Sequence, residues 1–153
     1  MQLRIAVGGA HNSPVTEPTR QITGGCLCGA LRYVAEGRPR YAGYCYCADC
    51  RKASGSGYMP FMGFPSSAVR FSGDTRQFVS RAARGGEAVR NFCPLCGSLV
   101  FGGCAGRDLE HTIYAGSLDD PSSFEPRIAI FTRDRPSWAP IPSGLDEFER
   151  LPG

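Results

Sequence analysis

The sequence predicts a mostly β protein of small antiparallel sheets. Twenty glycines and twelve prolines among 153 residues favour many turns and short strands over long helices. Eight cysteines exceed ordinary usage, and most of them stand in close groups, which is typical of metal binding. The content of 42% hydrophobic and 20% charged residues is that of one globular domain with an ordinary core.

Residues 1–20 carry no usable periodicity after a short apolar start, and we interpret them as an N-terminal extension. His11 lies in this extension and is not counted as a metal ligand. We expect the single domain to span residues 21–153. No apolar run approaches the roughly 20 residues that cross a bilayer, and the N-terminus does not resemble a secretory signal, so the prediction is a soluble, cytoplasmic protein.

Strands and turns follow from short β-forming runs between glycine and proline signals. Gly37 and Pro39 predict a turn before the segment that delivers the central cysteines, and Pro60 predicts an edge or bulged strand. Gly73-Asp74 and Gly85-Gly86 predict hairpins. Short helical turns are predicted at 48–53 and 120–124. The predicted strands are 31–35, 41–46, 58–64, 69–72, 76–82, 88–93, 99–101, 112–115 and 127–131.

Three cysteines stand within six residues, at Cys45, Cys47 and Cys50. In a strand the side chains of Cys45 and Cys47 point to the same face, and a turn can bring Cys50 beside them. Structural zinc takes four protein ligands, whereas catalytic zinc keeps three and an open position. A compact set of three therefore indicates an open zinc site.

Four further cysteines make a complete set of their own, with the short spacings of a structural zinc site. They are Cys26, Cys28, Cys93 and Cys96. Gly97 follows the last of them, where a zinc knuckle needs a residue that tolerates a left-handed backbone. The alternative for the whole set is a disulfide framework, which C-x-C and C-x-x-C spacings and the missing secretory segment disfavour. Cys104 is the eighth cysteine and could close the three-cysteine site, or be an idle thiol.

Three motifs together resemble the glutathione-dependent formaldehyde-activating enzyme family, which also includes centromere protein V. They are residues 25–33 around the first cysteine pair, the Cys45-x-Cys47-x-x-Cys50-Arg51-Lys52 segment, and residues 92–98 around the last pair. The resemblance runs from about residue 22 to about residue 152. It implies an Mss4-like, or β-tent, fold with small antiparallel sheets joined around a structural zinc.

The resemblance also assigns roles to the two cysteine sets. It implies a structural zinc at Cys26, Cys28, Cys93 and Cys96 and a catalytic zinc at Cys45, Cys47 and Cys50, hence two Zn²⁺ per chain. The implied reaction joins glutathione to formaldehyde, giving S-(hydroxymethyl)glutathione, in the carbon–sulfur lyase class. Tyr46 stands where the family often has histidine, a departure that bears on substrate rather than on zinc.

Residues near the central motif are candidates for substrate contacts. Arg51 and Lys52 can hold the carboxylates of glutathione or bond to the ligand sulfurs. His111 is the only histidine of the predicted domain and the one candidate for a conventional acid–base residue, although its sequence surroundings offer no partner. Trp138 can line the candidate active site or cover the hydrophobic core.

Charge argues against a nucleic-acid partner. Seven ionised cysteines and two bound Zn²⁺ ions would change the formal charge of +3 to zero, and the basic residues are scattered rather than clustered. The resemblance instead implies a small thiol and a small aldehyde as partners. Two alternatives stay open at this point: a zinc-stabilised binding module, as in centromere protein V, and an enzyme of the same fold acting on another carbon–sulfur substrate.

Overall fold

The computed structural model describes residues 19–153. The predicted extension therefore lies almost wholly outside the described residues. Within them, the chain forms one short α-helix, α1 (Ala48–Ser54), four single-turn 3-10 helices and eleven strands. The 3-10 helix at Pro121–Ser123 confirms the helical turn predicted at 120–124. The strands are β1 (Gln21–Gly25), β2 (Arg32–Glu36), β3 (Tyr41–Cys45), β4 (Met59–Pro65), β5 (Val69–Ser72), β6 (Arg76–Arg81), β7 (Glu87–Phe92), β8 (Leu99–Gly102), β9 (Glu110–Tyr114), β10 (Ile128–Ile130) and β11 (Asp146–Glu147).

The strands form two sheets. β1, β2 and β5 make a three-stranded antiparallel sheet, and the other strands make an eight-stranded sheet in the order β11-β10-β3-β4-β9-β8-β7-β6. This confirms the mostly β class with antiparallel sheets. Parallel pairing, which the sequence did not predict, is confined to β10, which pairs with β3 and with β11.

Two local predictions are wrong. The segment at Gly73-Asp74 does not make a hairpin, because β5 pairs with β2 while β6 pairs with β7 in the other sheet. β4 is neither an edge strand nor a bulged one, because β3 and β9 flank it in continuous register. Proline lacks a backbone N–H and so cannot donate to a neighbouring strand. Pro60 is tolerated because the pairing of β4 with β9 begins only at Phe61, one residue later. The predicted Gly85-Gly86 hairpin is confirmed by the β6–β7 pairing.

The core lies between the two sheets. Leu31, Tyr33 and Ala35 from the β2 side pack with residues of the larger sheet such as Phe64 and Ile113, and all five are fully buried. Because side chains alternate along a strand, these contacts involve one face of the larger sheet. Side chains on the other face point away from this core. Burying each large apolar side chain stabilises the fold by about 1.5–3 kcal/mol.

Hydrogen bonds connect the segment after β9 to the smaller sheet. Asp119 accepts hydrogen bonds from Thr23 Oγ1 at 2.7 Å and from Arg32 Nη1 at 2.8 Å, and its own N–H donates to the Thr23 carbonyl at 3.0 Å. The hydrogen bonds from Arg32 and Thr23 lower the pKa of Asp119 to about 2. The link between the sheets therefore has an ionic component.

We predict that Asp119→Asn lowers the free energy of unfolding at neutral pH by about 1 kcal/mol, because the pair with Arg32 is partly exposed. A carboxylate with a depressed folded pKa contributes its stability above the unfolded pKa of about 3.9 and loses it as pH falls toward the folded pKa. The difference from wild type in urea titrations should therefore shrink between about pH 4 and pH 2. Asp74→Asn, at an exposed position without an ion pair in the described chain, is the control. A pH-independent difference would contradict this account.

Candidate metal centres

The structure gathers seven of the eight cysteines into two groups. In each group the sulfur atoms lie within 4.8 Å of one another, and all eight thiols are free. One group contains Cys26, Cys28, Cys93 and Cys96, and the other contains Cys45, Cys47 and Cys50. Each group can hold a metal ion.

The four-cysteine group connects the two sheets. Cys26 and Cys28 lie in the turn between β1 and β2, whereas Cys93 and Cys96 lie in the turn between β7 and β8. The Cys28 sulfur lies 3.6 Å from that of Cys26 and 3.7 Å from that of Cys93. A tetrahedral ion with metal–sulfur bonds of about 2.3 Å requires sulfurs roughly 3.8 Å apart. The spacing therefore fits a four-coordinate metal.

Backbone geometry supports the four thiols. The Leu31 N–H donates to Cys26 Sγ at 3.2 Å, and Gly97 adopts the left-handed conformation that the sequence predicted, with φ of 75°. That conformation lets the Gly97 N–H donate to the Cys93 carbonyl at 2.9 Å. Ser98 bridges the two turns, because its hydroxyl accepts from the Leu27 N–H at 3.1 Å and contacts Cys96 Sγ at 3.2 Å. Its hydrogen bonds lower the pKa of Cys96 to about 5.

The three-cysteine group is assembled by β3 and α1. Cys45 ends β3, Cys47 is the N-cap of α1, and Cys50 lies in its first turn. Strand alternation separates Tyr46 from the two cysteines beside it, and its buried ring instead packs among Ala129 and Ala139. The Tyr46 hydroxyl donates to the Pro140 carbonyl at 2.7 Å. Tyr46 is therefore a structural anchor on the far side of the cysteine pair.

Protons are distributed unevenly among these three thiols. Hydrogen bonds from Cys45 and Cys50 lower the pKa of Cys47, aided by the Cys50 N–H, which donates to Cys47 Sγ at 3.4 Å. The contact with Cys47 raises the pKa of Cys45. The Cys47 thiol therefore ionises more readily than the Cys45 thiol. Ionisation of all three thiols requires a cation among the sulfurs.

Apolar side chains cover one side of the three-cysteine group. Phe61 and Phe131 pack with Cys45 and are buried, whereas Cys47 and Cys50 are only half-buried. No fourth histidine, cysteine or carboxylate of residues 19–153 joins the group. A metal held there would have three protein ligands and one position accessible to a small molecule.

The other candidates from the sequence lie elsewhere. Cys104 belongs to neither group of the described chain and follows β8. His111 packs edge-on against Phe71 and Phe101 in the core between the sheets, and Trp138 is 71% exposed. Strand alternation places His111 on the face of the larger sheet opposite Cys45. The structure therefore separates His111 from the three-cysteine group.

Arg51 and Lys52 differ in their surroundings. Arg51 is half-buried, and its Nε donates to the Tyr46 carbonyl at 3.2 Å. It thereby braces the segment between Cys45 and Cys47 rather than bonding to a sulfur. Lys52 is exposed on α1.

Two other side chains, on the same face of the larger sheet as Cys45, were not singled out by the sequence. Arg90 on β7 and Tyr114 on β9 are each 9% exposed. Burial raises the pKa of Tyr114, and the charge of Arg90 opposes that rise. Only the strand order could have identified them, because neither lies in a cysteine motif.

Fold and site together define a mostly β protein with two cysteine groups, one of four thiols between two sheets and one of three on the outer face of the larger sheet. The family model of the glutathione-dependent formaldehyde-activating enzyme matches residues 21–134. The chain belongs to this family.

Further comparisons add little. A crystal structure of a Rhodobacter sphaeroides protein is 20% identical and covers 63% of this chain and 87% of its own, with a TM-score of 0.47. No curated protein matches the chain. Among residues 19–153, no helix has the length and apolar character needed to cross a membrane.

We predict that the two cysteine groups differ in their contribution to folding. Cys93→Ser removes a ligand from the group that joins the sheets, where metal binding contributes on the order of 10 kcal/mol to folding, and should leave unfolded protein. Cys47→Ser should remain folded and lose one metal ion per chain by elemental analysis. Cys104→Ser, outside both groups, is the matched control and should keep both ions. Equal loss of stability in the Cys93 and Cys47 variants would contradict the division.

Proposed function

We propose that this protein is a zinc-dependent carbon–sulfur lyase of the S-(hydroxymethyl)glutathione synthase type. Membership in the formaldehyde-activating family supports this substrate class. The observation that carries the proposal is the group at Cys45, Cys47 and Cys50, which has no fourth ligand from the described chain. Three ligands and an exchangeable position are the pattern of catalytic zinc.

We propose zinc at both groups, two ions per chain. Thiolate-only ligands are soft, and four of them in tetrahedral spacing are typical of structural zinc. Bound at the three-cysteine group, zinc would keep a thiol ionised at neutral pH. Three thiolates and Zn²⁺ carry a net charge of −1, which suits a soft sulfur ligand better than strong polarisation of a carbonyl.

Other residues of the chain would control access to the site and contact the substrate. Cys47 and Cys50 are half-buried and leave access from solvent, while Phe61 and Phe131 keep water from the Cys45 side. Lys52, exposed on α1, is the better candidate of the basic pair to meet a glutathione carboxylate, because Arg51 already bonds to the Tyr46 carbonyl. A glutathione substrate and free thiols suit a reducing compartment, so we propose a cytoplasmic location.

Turnover with a panel of thiols and aldehydes tests the activity. The zinc-loaded protein should accelerate addition of glutathione to formaldehyde above the uncatalysed rate, and Cys47→Ser should return the rate to the uncatalysed value. Acceleration with another thiol or aldehyde only would identify a different carbon–sulfur substrate. No acceleration with any pair, in protein holding two zinc ions, would favour the binding module and contradict the proposal.

We predict that glutathione binding depends on pH and on the metal. A thiol that binds as thiolate must release its proton, so affinity should rise with pH up to the free thiol's pKa. Calorimetry in buffers of different ionisation enthalpy would count the proton. In cobalt-substituted protein, glutathione should strengthen the thiolate charge-transfer absorption, whereas S-methylglutathione should not. Binding without proton release or spectral change would rule out thiol activation at this group.

A further inference from the structure

A cleft opens between the two sheets, on the face of the larger sheet opposite Cys45. Its volume is about 470 Å³, which is the size of a small-molecule site. The smaller sheet contributes Val69 and Phe71 of β5, and the larger sheet contributes His111 of β9. We call it the His111 cleft. Its rim includes Ser66, Arg107, Asp108 and Leu109.

The imidazole of His111 is held from several sides. Its Nδ1 lies 3.3 Å from the Gly102 carbonyl oxygen. The rings of Phe71 and Phe101 pack edge-on against it, with centroids at 5.2 and 5.8 Å. Gly103 leaves the space that Nδ1 needs, because a Cβ at this position would lie 2.9 Å from that nitrogen. These contacts fix the orientation of the ring.

The second ring nitrogen of His111 is open to the cleft. A carbonyl oxygen only accepts, so Nδ1 donates to it, and in the neutral imidazole Nε2 then carries a lone pair. Within residues 19–153 no group bonds to Nε2, yet every enclosed side-chain nitrogen or oxygen of the described chain has a partner. Nε2 is therefore accessible, and the cleft is the opening that His111 lines. Because the side chain is only 3% exposed, this acceptor lies at the deep end of the cleft.

The charged groups on the rim are paired with one another. Arg107 Nε donates to Asp108 Oδ1 at 2.9 Å, and Arg107 Nη1 donates to Glu87 at 3.3 Å. The other carboxylate oxygen of Asp108 accepts from the Cys104 N–H at 2.7 Å. A rim whose charges are already paired favours a neutral ligand over an ion.

Apolar side chains form the remaining wall of the cleft. Leu109 is 87% exposed, although its backbone is fixed at the mouth of the cleft by the Ser66 N–H, which donates to the Leu109 carbonyl at 2.9 Å. Val69 and Phe71 line the cleft from the smaller sheet. A ligand that covers these side chains removes apolar surface from water, which favours binding. The ligand therefore has an apolar body.

We propose that the His111 cleft binds a neutral aromatic molecule that carries a hydroxyl group. The hydroxyl donates a hydrogen bond to His111 Nε2, and the ring of the ligand packs against Phe71, Val69 and Leu109. An apolar wall with one fixed acceptor is the usual composition of a small-molecule site, in which the polar group sets the orientation of the ligand. The bound molecule contacts both sheets. This site is separate from the three-cysteine group and does not depend on the reaction proposed above.

Two matched probes test the site. 4-Ethylphenol and ethylbenzene differ only by the hydroxyl group, and their affinities for the zinc-loaded protein can be measured from the concentration dependence of backbone amide NMR shifts. The phenol should bind about 3- to 10-fold more tightly, which is the contribution of one hydrogen bond. The largest shifts should lie in residues 105–111 and 69–71. Equal affinities of the two probes, or binding of neither, would overturn the proposal.

Two variants separate the acceptor from the apolar wall. His111→Phe keeps an aromatic ring in the core but removes the nitrogen, so it should abolish the preference for 4-ethylphenol. Leu109→Ser changes an exposed side chain and should weaken both probes equally, by about 5-fold, because part of an apolar contact is lost. Leu27→Ser is the matched control, since Leu27 is 89% exposed and does not line the cleft, and its affinities should equal those of wild type.

The cysteine variant distinguishes this cleft from the metal site. A phenol could also bind to a metal ion held by Cys45, Cys47 and Cys50, and its affinity would then fall in Cys47→Ser, a result that would overturn the proposal. We expect Cys47→Ser to bind both probes as the wild type does. If His111→Phe does not fold, Leu109→Ser still decides the location, because unchanged affinities in that variant would place the probes elsewhere and overturn the proposal.

Discussion

The meeting of four thiols between two turns is the constraint on which the rest of the structure depends. One turn belongs to the three-stranded sheet and the other to the eight-stranded sheet, and their sulfurs approach to 3.6 and 3.7 Å. Thiolates at such separations repel one another unless a cation lies between them. A cation held by the four thiols would balance this charge, so metal binding there would contribute to folding.

The alternation of side chains in the larger sheet divides the molecule by function. One face packs on the smaller sheet and carries the core, including Phe64 and Ile113. The other face carries Cys45 and Phe61 and, in the same row, Tyr114 and Arg90. Chemistry on that face can change with little effect on the core.

Glycine at position 102 shows how backbone and site are connected. With no side chain there, Tyr114 can lie across β8. A methyl group at this position would lie 3.0 Å from the Tyr114 hydroxyl, so the tyrosine side chain would have to shift slightly. A strand position without a side chain thereby lets a neighbouring aromatic ring cross the strand.

Local patterns in the sequence determined most of the strands, both cysteine sets and the left-handed Gly97, because each depends on residues a few positions apart. Spacing alone brings Cys45, Cys47 and Cys50 together, through strand alternation and one helical turn. Only the tertiary structure decided which strands pair: it placed β5 and β6 in different sheets, set β4 inside its sheet, and put His111 on the opposite face from Cys45. The register of β4, β9, β8 and β7 puts Tyr114 and Arg90 on the face of Cys45. Register between distant strands depends on the packing of whole sheets, which no local pattern in the chain encodes.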